Sequence, residues 1–222
     1  MQMTYEQSIG LLNSRGANVT YDPHFLPPAL ASRILHDLTA EVVFNRPEDS
    51  SVVLFGRRLL VPRLQVAYGD PGTCYEFSRC LVHARPWSES PTLFALRPRV
   101  EAAVESVFNF VLLNLYRSGA DSIGWHRDDE ADLGPTPTIA SQSFGAVRDF
   151  QFRLASSADS RLPTVTLPLE HGSLLVMRHP TNVHWKHQLP KRGGDSPTQI
   201  GPRLNLTWRR IFLDAGRRRG PH

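Results

Sequence analysis

Apolar residues along this chain recur first at helical spacing and then at strand spacing. Residues 1 to about 24 carry no strong pattern. Pro27 and Pro28 then precede Ala29–Phe44, where apolar positions return every three or four residues and predict one helix, opened by proline. Ser51–Gly69 reads as short strands about a turn at Gly56, and Cys74–Ala84 as one further strand after the Gly69–Gly72 turn. Thr92–Val107 has the length and period of a second helix, interrupted near Pro98. From Phe108 onward the period shortens to two. Phe108–Tyr116, Thr138–Ala146, Arg148–Ala155, Thr164–Leu169, Gly172–His179 and Arg203–Leu213 read as strands separated by turn residues. Such a run predicts a β-sandwich or open barrel backed by two helices.

Composition narrows this picture. At 222 residues and 41% hydrophobic the chain can bury a continuous core, and it reads as one domain. It has no apolar run of membrane-spanning length and no signal-peptide pattern at its start, so a soluble, intracellular protein is expected. Cys74 and Cys80, read as lying on one face of a strand, are expected to be free thiols. A net charge of +4 and a pI near 9.4 are compatible with a polyanionic partner. Arg217, Arg218 and Arg219 form a short basic tail, expected to be a disordered end.

His126 and Asp128 stand two apart, so an extended backbone points an imidazole and a carboxylate to one side. Two histidines and one carboxylate on one face of an iron leave the opposite face open for a co-substrate and oxygen. His171, His179, His184 and His187 all compete for the third place, and spacing does not choose among them. An isolated H-x-D is more often a surface pair. A second signal raises its weight: Arg203, Asn205, Thr207 and Arg209 alternate with Leu204, Leu206 and Trp208. Arginines on an inward face need anionic partners, and a dicarboxylate supplies them. Asn114 and Tyr116, again two apart, add an amide and a phenol.

Together N-x-Y, H-x-D, a distal His and R-x-N-x-T-x-R, in this order, resemble the AlkB family of oxidative nucleic-acid demethylases, over residues from about 50 to 213. The similarity is greatest to the subgroup that repairs duplex DNA. The resemblance implies an α+β, mainly β fold: a double-stranded β-helix, or jelly roll, with N-terminal helices and a nucleotide-recognition lid. One globular domain is expected, with an N-terminal extension over 1–50, lid hairpins over 51–90, the catalytic jelly roll over 91–213 and a basic tail over 214–222. It implies that His126, Asp128 and His187 bind Fe(II), His187 being chosen because a short apolar-Pro step follows it. Asn114, Tyr116, Arg203, Asn205, Thr207 and Arg209 would then surround 2-oxoglutarate, with O2 as the further co-substrate. The implied reaction is oxidative demethylation of bases such as 1-methyladenine and 3-methylcytosine, releasing formaldehyde, succinate and CO2.

The methylated edge of a base is inaccessible in a duplex, so the base must be flipped out. Leu54, Phe55 and Gly56, followed by Arg57 and Arg58, resemble the family's hydrophobic finger, though the family pattern has valine where Leu54 stands. An ordinary hairpin is the alternative reading of this turn. By resemblance Tyr75, Glu76 and Phe77 belong to the flipped-base pocket, with Phe77 stacking on the base, while Asp129 contacts the base with Glu130 supporting it and Arg63 touches the substrate strand. The expected partner is alkylated DNA in duplex form, bound by a monomer, in cytoplasm or nucleus according to the source. RNA or single-strand demethylation, and a non-catalytic nucleic-acid-binding relative, are the competing readings.

Overall fold

Period-two patterning becomes two packed sheets, and period-3.6 patterning becomes helices laid on the outside of one of them. The structure, a computed structural model, describes residues 3–49, 51–54, 57–77, 80–156, 163–192 and 200–212. The first half runs α1 (Tyr5–Asn13), β1 (Asn18–Asp22), α2 (Pro28–Glu41), β2 (Ser51–Leu54), β3 (Arg57–Leu60), β4 (Leu64–Gly69), β5 (Cys74–Phe77), β6 (Cys80–Pro86) and α3 (Pro91–Val104). The second half runs β7 (Phe110–Tyr116), β8 (Ile123–His126), β9 (Ile139–Gly145), β10 (Arg148–Leu154), β11 (Val165–Leu169), β12 (Leu174–Arg178), α4 (Thr181–His184), β13 (Trp185–Leu189) and β14 (Arg203–Arg209).

Eight strands form the larger sheet in the order β1, β12, β9, β14, β7, β4, β6, β5, and four form the smaller in the order β11, β10, β13, β8. Strands β2 and β3 make a separate hairpin. Strands β4 and β6, from the segment expected to form lid hairpins, lie within the larger sheet, and β1 joins it from the N-terminal extension. No helix among the described residues is long and apolar enough to cross a membrane.

The larger sheet is buried on both faces, which explains the unbroken apolar run of β7. Phe110 and Leu112 point between the sheets, towards Phe152, Leu167 and Trp185. Val111 and Leu113 point the other way, into a second core with Leu38 of α2 and Leu93, Leu96 and Val100 of α3. The smaller sheet keeps one face towards solvent, so β11 and β13 alternate buried and half-buried positions.

Three local expectations change. Residues 1 to 24, without apparent pattern, hold α1 and β1: Thr4 and Gln7 form a capping box, and Asn18–Asp22 pair with β12. Pro98 does not interrupt α3, because it sits on the exposed side of the helix, where the freed carbonyl one turn back meets water. Cys74–Ala84 is not one strand but the two arms of an antiparallel hairpin, with Cys74 opposite His83 and Phe77 opposite Cys80. The two cysteines therefore sit on different strands, and Cys74 is in no disulfide among the described residues.

Candidate active site

Strand β8 ends at His126, and the β8–β13 register sets His187 directly opposite it. Asp128 follows just past the strand end and is buried. One ligand atom from each of His126, Asp128 and His187 can be chosen so that all lie within 4.8 Å of one another. The three rival histidines fall away. His179 and His184 are exposed, and His171 is held on the far side of the larger sheet by Ser32 and the Gly145 amide.

Donor chemistry in the triad suits a divalent metal. The His126 Nδ1–H donates to the Gly124 carbonyl at 2.9 Å, which leaves Nε2 as the ligating nitrogen. Arg209 donates to Asp128 Oδ1 at 2.9 Å, leaving Oδ2 turned towards His187 Nε2 at 4.0 Å. Burial, then the neighbouring His126, pushes the His187 imidazole down to about 3. Burial lowers His126 as well. Burial works against the Asp128 carboxylate, but the Arg209 guanidinium and the two imidazoles outweigh it and hold the group at about 2. Two neutral imidazoles and an ionised carboxylate are the protonation states a metal requires.

Beside the triad opens a cavity of about 670 Å³. Its polar wall is built by two adjacent strands whose inward residues lie in register, Asn205 opposite Asn114 and Arg203 opposite Tyr116. Asn114 Oδ1 accepts from Arg63 Nε at 2.9 Å and Gln65 Nε2 at 2.8 Å. Asn205 donates to Ser141 Oγ at 2.8 Å and to the Gln142 carbonyl at 2.9 Å, and its Oδ1 accepts from Thr207 at 3.0 Å. Arg203 donates to Ser143 Oγ at 2.9 Å and lies 5.4 Å from the Tyr116 ring centroid. Burial depresses Arg203 to about 10, so it remains cationic at neutral pH. Nε of Arg203 and both Nε and Nη1 of Arg209 have no hydrogen-bond partner among the described residues. Buried guanidinium N–H groups without acceptors are costly, and a ligand bearing carboxylates fits them.

On the other side of the triad the Tyr75 hydroxyl donates to the Glu130 carboxylate, and the Arg209 guanidinium carbon sits 4.7 Å from the Tyr75 ring centroid. Burial, then Asp128, raises the Glu130 carboxyl. Of the residues expected from sequence, Asn114, Tyr116, Asn205, Thr207, Arg209, Arg63, Tyr75, Asp129 and Glu130 line this one cavity. Arg203 lies behind Tyr116 and is not part of the lining. Arg63 is buried, at 6% exposure, and so is not a solvated hairpin arginine. Glu76 is not brought to the cavity: strand alternation turns it away from Tyr75, and it is half-buried on the other face of β5. Phe55 and Gly56, and the side chains of Leu54 and Phe77, lie outside the described residues.

Two residues of the site escaped the sequence reading. Gln65 shares Asn114 with Arg63, and its inward position on β4 was legible only once β4 was known to pair with β7. Arg148, 1% exposed, donates to the carbonyls of Ser118, Asp121 and Pro190, tying the loop before β8 to the end of β13. Nothing in the sequence separates it from the many surface arginines.

Comparison with known proteins agrees with this geometry. The 2OG-Fe(II) oxygenase superfamily profile matches residues 18–209. DNA oxidative demethylase ALKBH2 of Homo sapiens is 43% identical over 206 residues, covering 91% of this chain and 76% of the human protein. The Bos taurus ALKBH2 is 44% identical over 207 residues, covering 91% of this chain and 72% of its own. Among solved structures, one titled "The structure of OsALKBH1" aligns with TM-score 0.53 at 17% identity, over 88% of this chain and 98% of that one, which shows the jelly-roll fold. With a two-histidine, one-carboxylate cluster between its sheets, the chain belongs to the 2OG-Fe(II) oxygenase superfamily and, within it, to the AlkB family.

Proposed function

We propose that this chain is a DNA repair dioxygenase that oxidatively demethylates N-alkylated bases. The observation that carries the reading is the triad of half-buried His126 with buried Asp128 and His187, opening onto one cavity with the polar row of β14. The similarity to proteins named DNA oxidative demethylase supplies the substrate class.

His126, Asp128 and His187 hold Fe(II) in this reading. Bound iron, with 2-oxoglutarate and O2 as co-substrates, supplies the oxidation of the N-methyl group, with formaldehyde, succinate and CO2 as products. The chain's own residues do the positioning. Arg209 presents unpaired N–H groups to the cavity and engages a carboxylate of 2-oxoglutarate. Arg203, set behind Tyr116, adds its cationic charge and an unpaired Nε for the other, and Asn114, Tyr116, Asn205 and Thr207 shape the berth. Arg209 also fixes Asp128 through Oδ1. Glu130, steadied by Tyr75, and Asp129 at the exposed mouth face the incoming base. The narrower part of the proposal is a base flipped from a DNA duplex by a monomer, with Leu54, Phe55 and Gly56 filling the gap in the stack. The β2–β3 hairpin that carries this segment stands apart from the two sheets, as a lid would.

Purified protein with Fe(II), ascorbate and 2-oxoglutarate is expected to release formaldehyde from matched single- and double-stranded DNA carrying 1-methyladenine, and His126→Ala to release none. Wild-type protein that makes neither formaldehyde nor succinate on either substrate ends the enzymatic reading.

A further inference from the structure

The residue before the triad's His126 is Trp125, and its half-buried indole borders the mouth of the same cavity. From β10, exposed Arg153 reaches over the intervening β13 and sets its guanidinium carbon 4.3 Å from the Trp125 ring centroid. A cation held against the ring fixes its plane through the ring's quadrupole. Arg153 also stands opposite Lys186 in the β10–β13 register. Like charges directly across a strand pair repel, and an anion beside them removes that cost. An oriented aromatic ring and two cations thus meet beside the cavity mouth, outside the residues assigned to metal, co-substrate or target base.

We infer that Trp125, its ring clamped by Arg153, is a stacking platform for a nucleobase flanking the target base, with Lys186 meeting the phosphate of that strand. The inference rests on the nucleic-acid reading of the site. Strand alternation turns Trp125 away from His126, yet its residue still borders the cavity, so a strand whose target base enters the cavity passes this ring with the neighbouring base. Every base has a π-face, so such a platform adds affinity without choosing sequence. A flanking base in a single strand is free to stack, whereas in a duplex it must first leave its partner. The contribution is therefore greater on single-stranded DNA.

The test is fluorescence anisotropy with short labelled single strands carrying 1-methyladenine, made with intact or abasic flanking nucleotides, alongside formaldehyde release by the wild type. Wild-type protein is expected to bind the intact-flank strand roughly 5- to 150-fold more tightly than the abasic one. Trp125→Ala loses that preference, and Trp125→Phe keeps most of it. Equal binding of both strands by the wild type, or an undiminished preference in Trp125→Ala, overturns the inference. If Trp125→Ala does not fold, the wild-type comparison and Trp125→Phe decide. A wild type that binds both strands yet yields no formaldehyde overturns the demethylase reading instead, so the two fail separately.

Discussion

Arg209 touches both sides of the site, with one nitrogen on Asp128, its plane against Tyr75, and two further nitrogens without partners. Arg203 is simpler: it is buried against Ser143 and Tyr116 and contacts none of the triad. The two arginines should therefore separate experimentally. Arg203→Met is expected to raise the KM for 2-oxoglutarate by roughly 10- to 150-fold, the worth of a charge-assisted hydrogen bond of about 1.5–3 kcal/mol, while metal binding stays at the wild-type level. Titrations of the metal-loaded protein with 2-oxoglutarate, and of the metal-free protein with Co(II), read the two effects. At this scale the sequence was legible where polar residues recur at period two. It was not legible where a lone side chain such as Arg148 acts through three carbonyls that only the fold assembles.

Strand β14 shows what an element adds. All seven of its residues are buried, yet its two faces do different things: Leu204, Leu206 and Trp208 pack on the helices, while Asn205, Thr207 and Arg209 line the cavity. Leu206→Ala should cost about 2–5 kcal/mol of stability in urea unfolding and leave the KM for 2-oxoglutarate nearly unchanged. Its neighbour Thr207→Val should do the reverse. The alternation in the sequence fitted a surface strand as well as an inward one, and only pairing with β7 and β9 on both sides decided between them. The β2–β3 hairpin carries a separate expectation. If Phe55 fills the gap left by a flipped base, Phe55→Ala loses activity on duplex substrate at least tenfold more than on single strands. An equal loss on both assigns the turn a structural role only. Helix α1 and strand β1 were hidden for another reason: at nine and five residues they are too short for periodicity to register, and their capping and pairing are the signals that remain.

For the whole molecule, the larger sheet separates two cores, and the metal cluster lies on the side it shares with the smaller sheet. The mainly β class and the run of strands were legible, because alternation survives in sequence; the order of strands was not, since β14 sits between β7 and β9 by pairings remote along the chain. Folding also imposes a pH dependence on the metal-free protein. Unfolded, His187 takes up a proton near its ordinary 6.5, whereas folded it stays neutral down to about 3, so stability falls as pH drops from about 6.5 towards 3. Asp128, held at about 2 against an ordinary 3.8, adds stability above that range that is lost as pH falls through it. Melting of metal-free protein between pH 7.5 and 5 is expected to show a declining Tm, with a shallower decline in His187→Gln.

The buried contact between Asp128 and Arg209 joins a segment following the smaller sheet to a central strand of the larger one. Its consequence is historical as much as structural. Either residue changed alone strands the other's charge in the interior, at a cost of about 3–5 kcal/mol, so neither can drift by itself. Asp128→Asn and Arg209→Met should each lower the stability of the metal-free protein, while the double variant loses less than their sum. A lineage that gave up the chemistry could discard the pair only in one coordinated step, which makes these two positions a record of whether catalysis was ever abandoned.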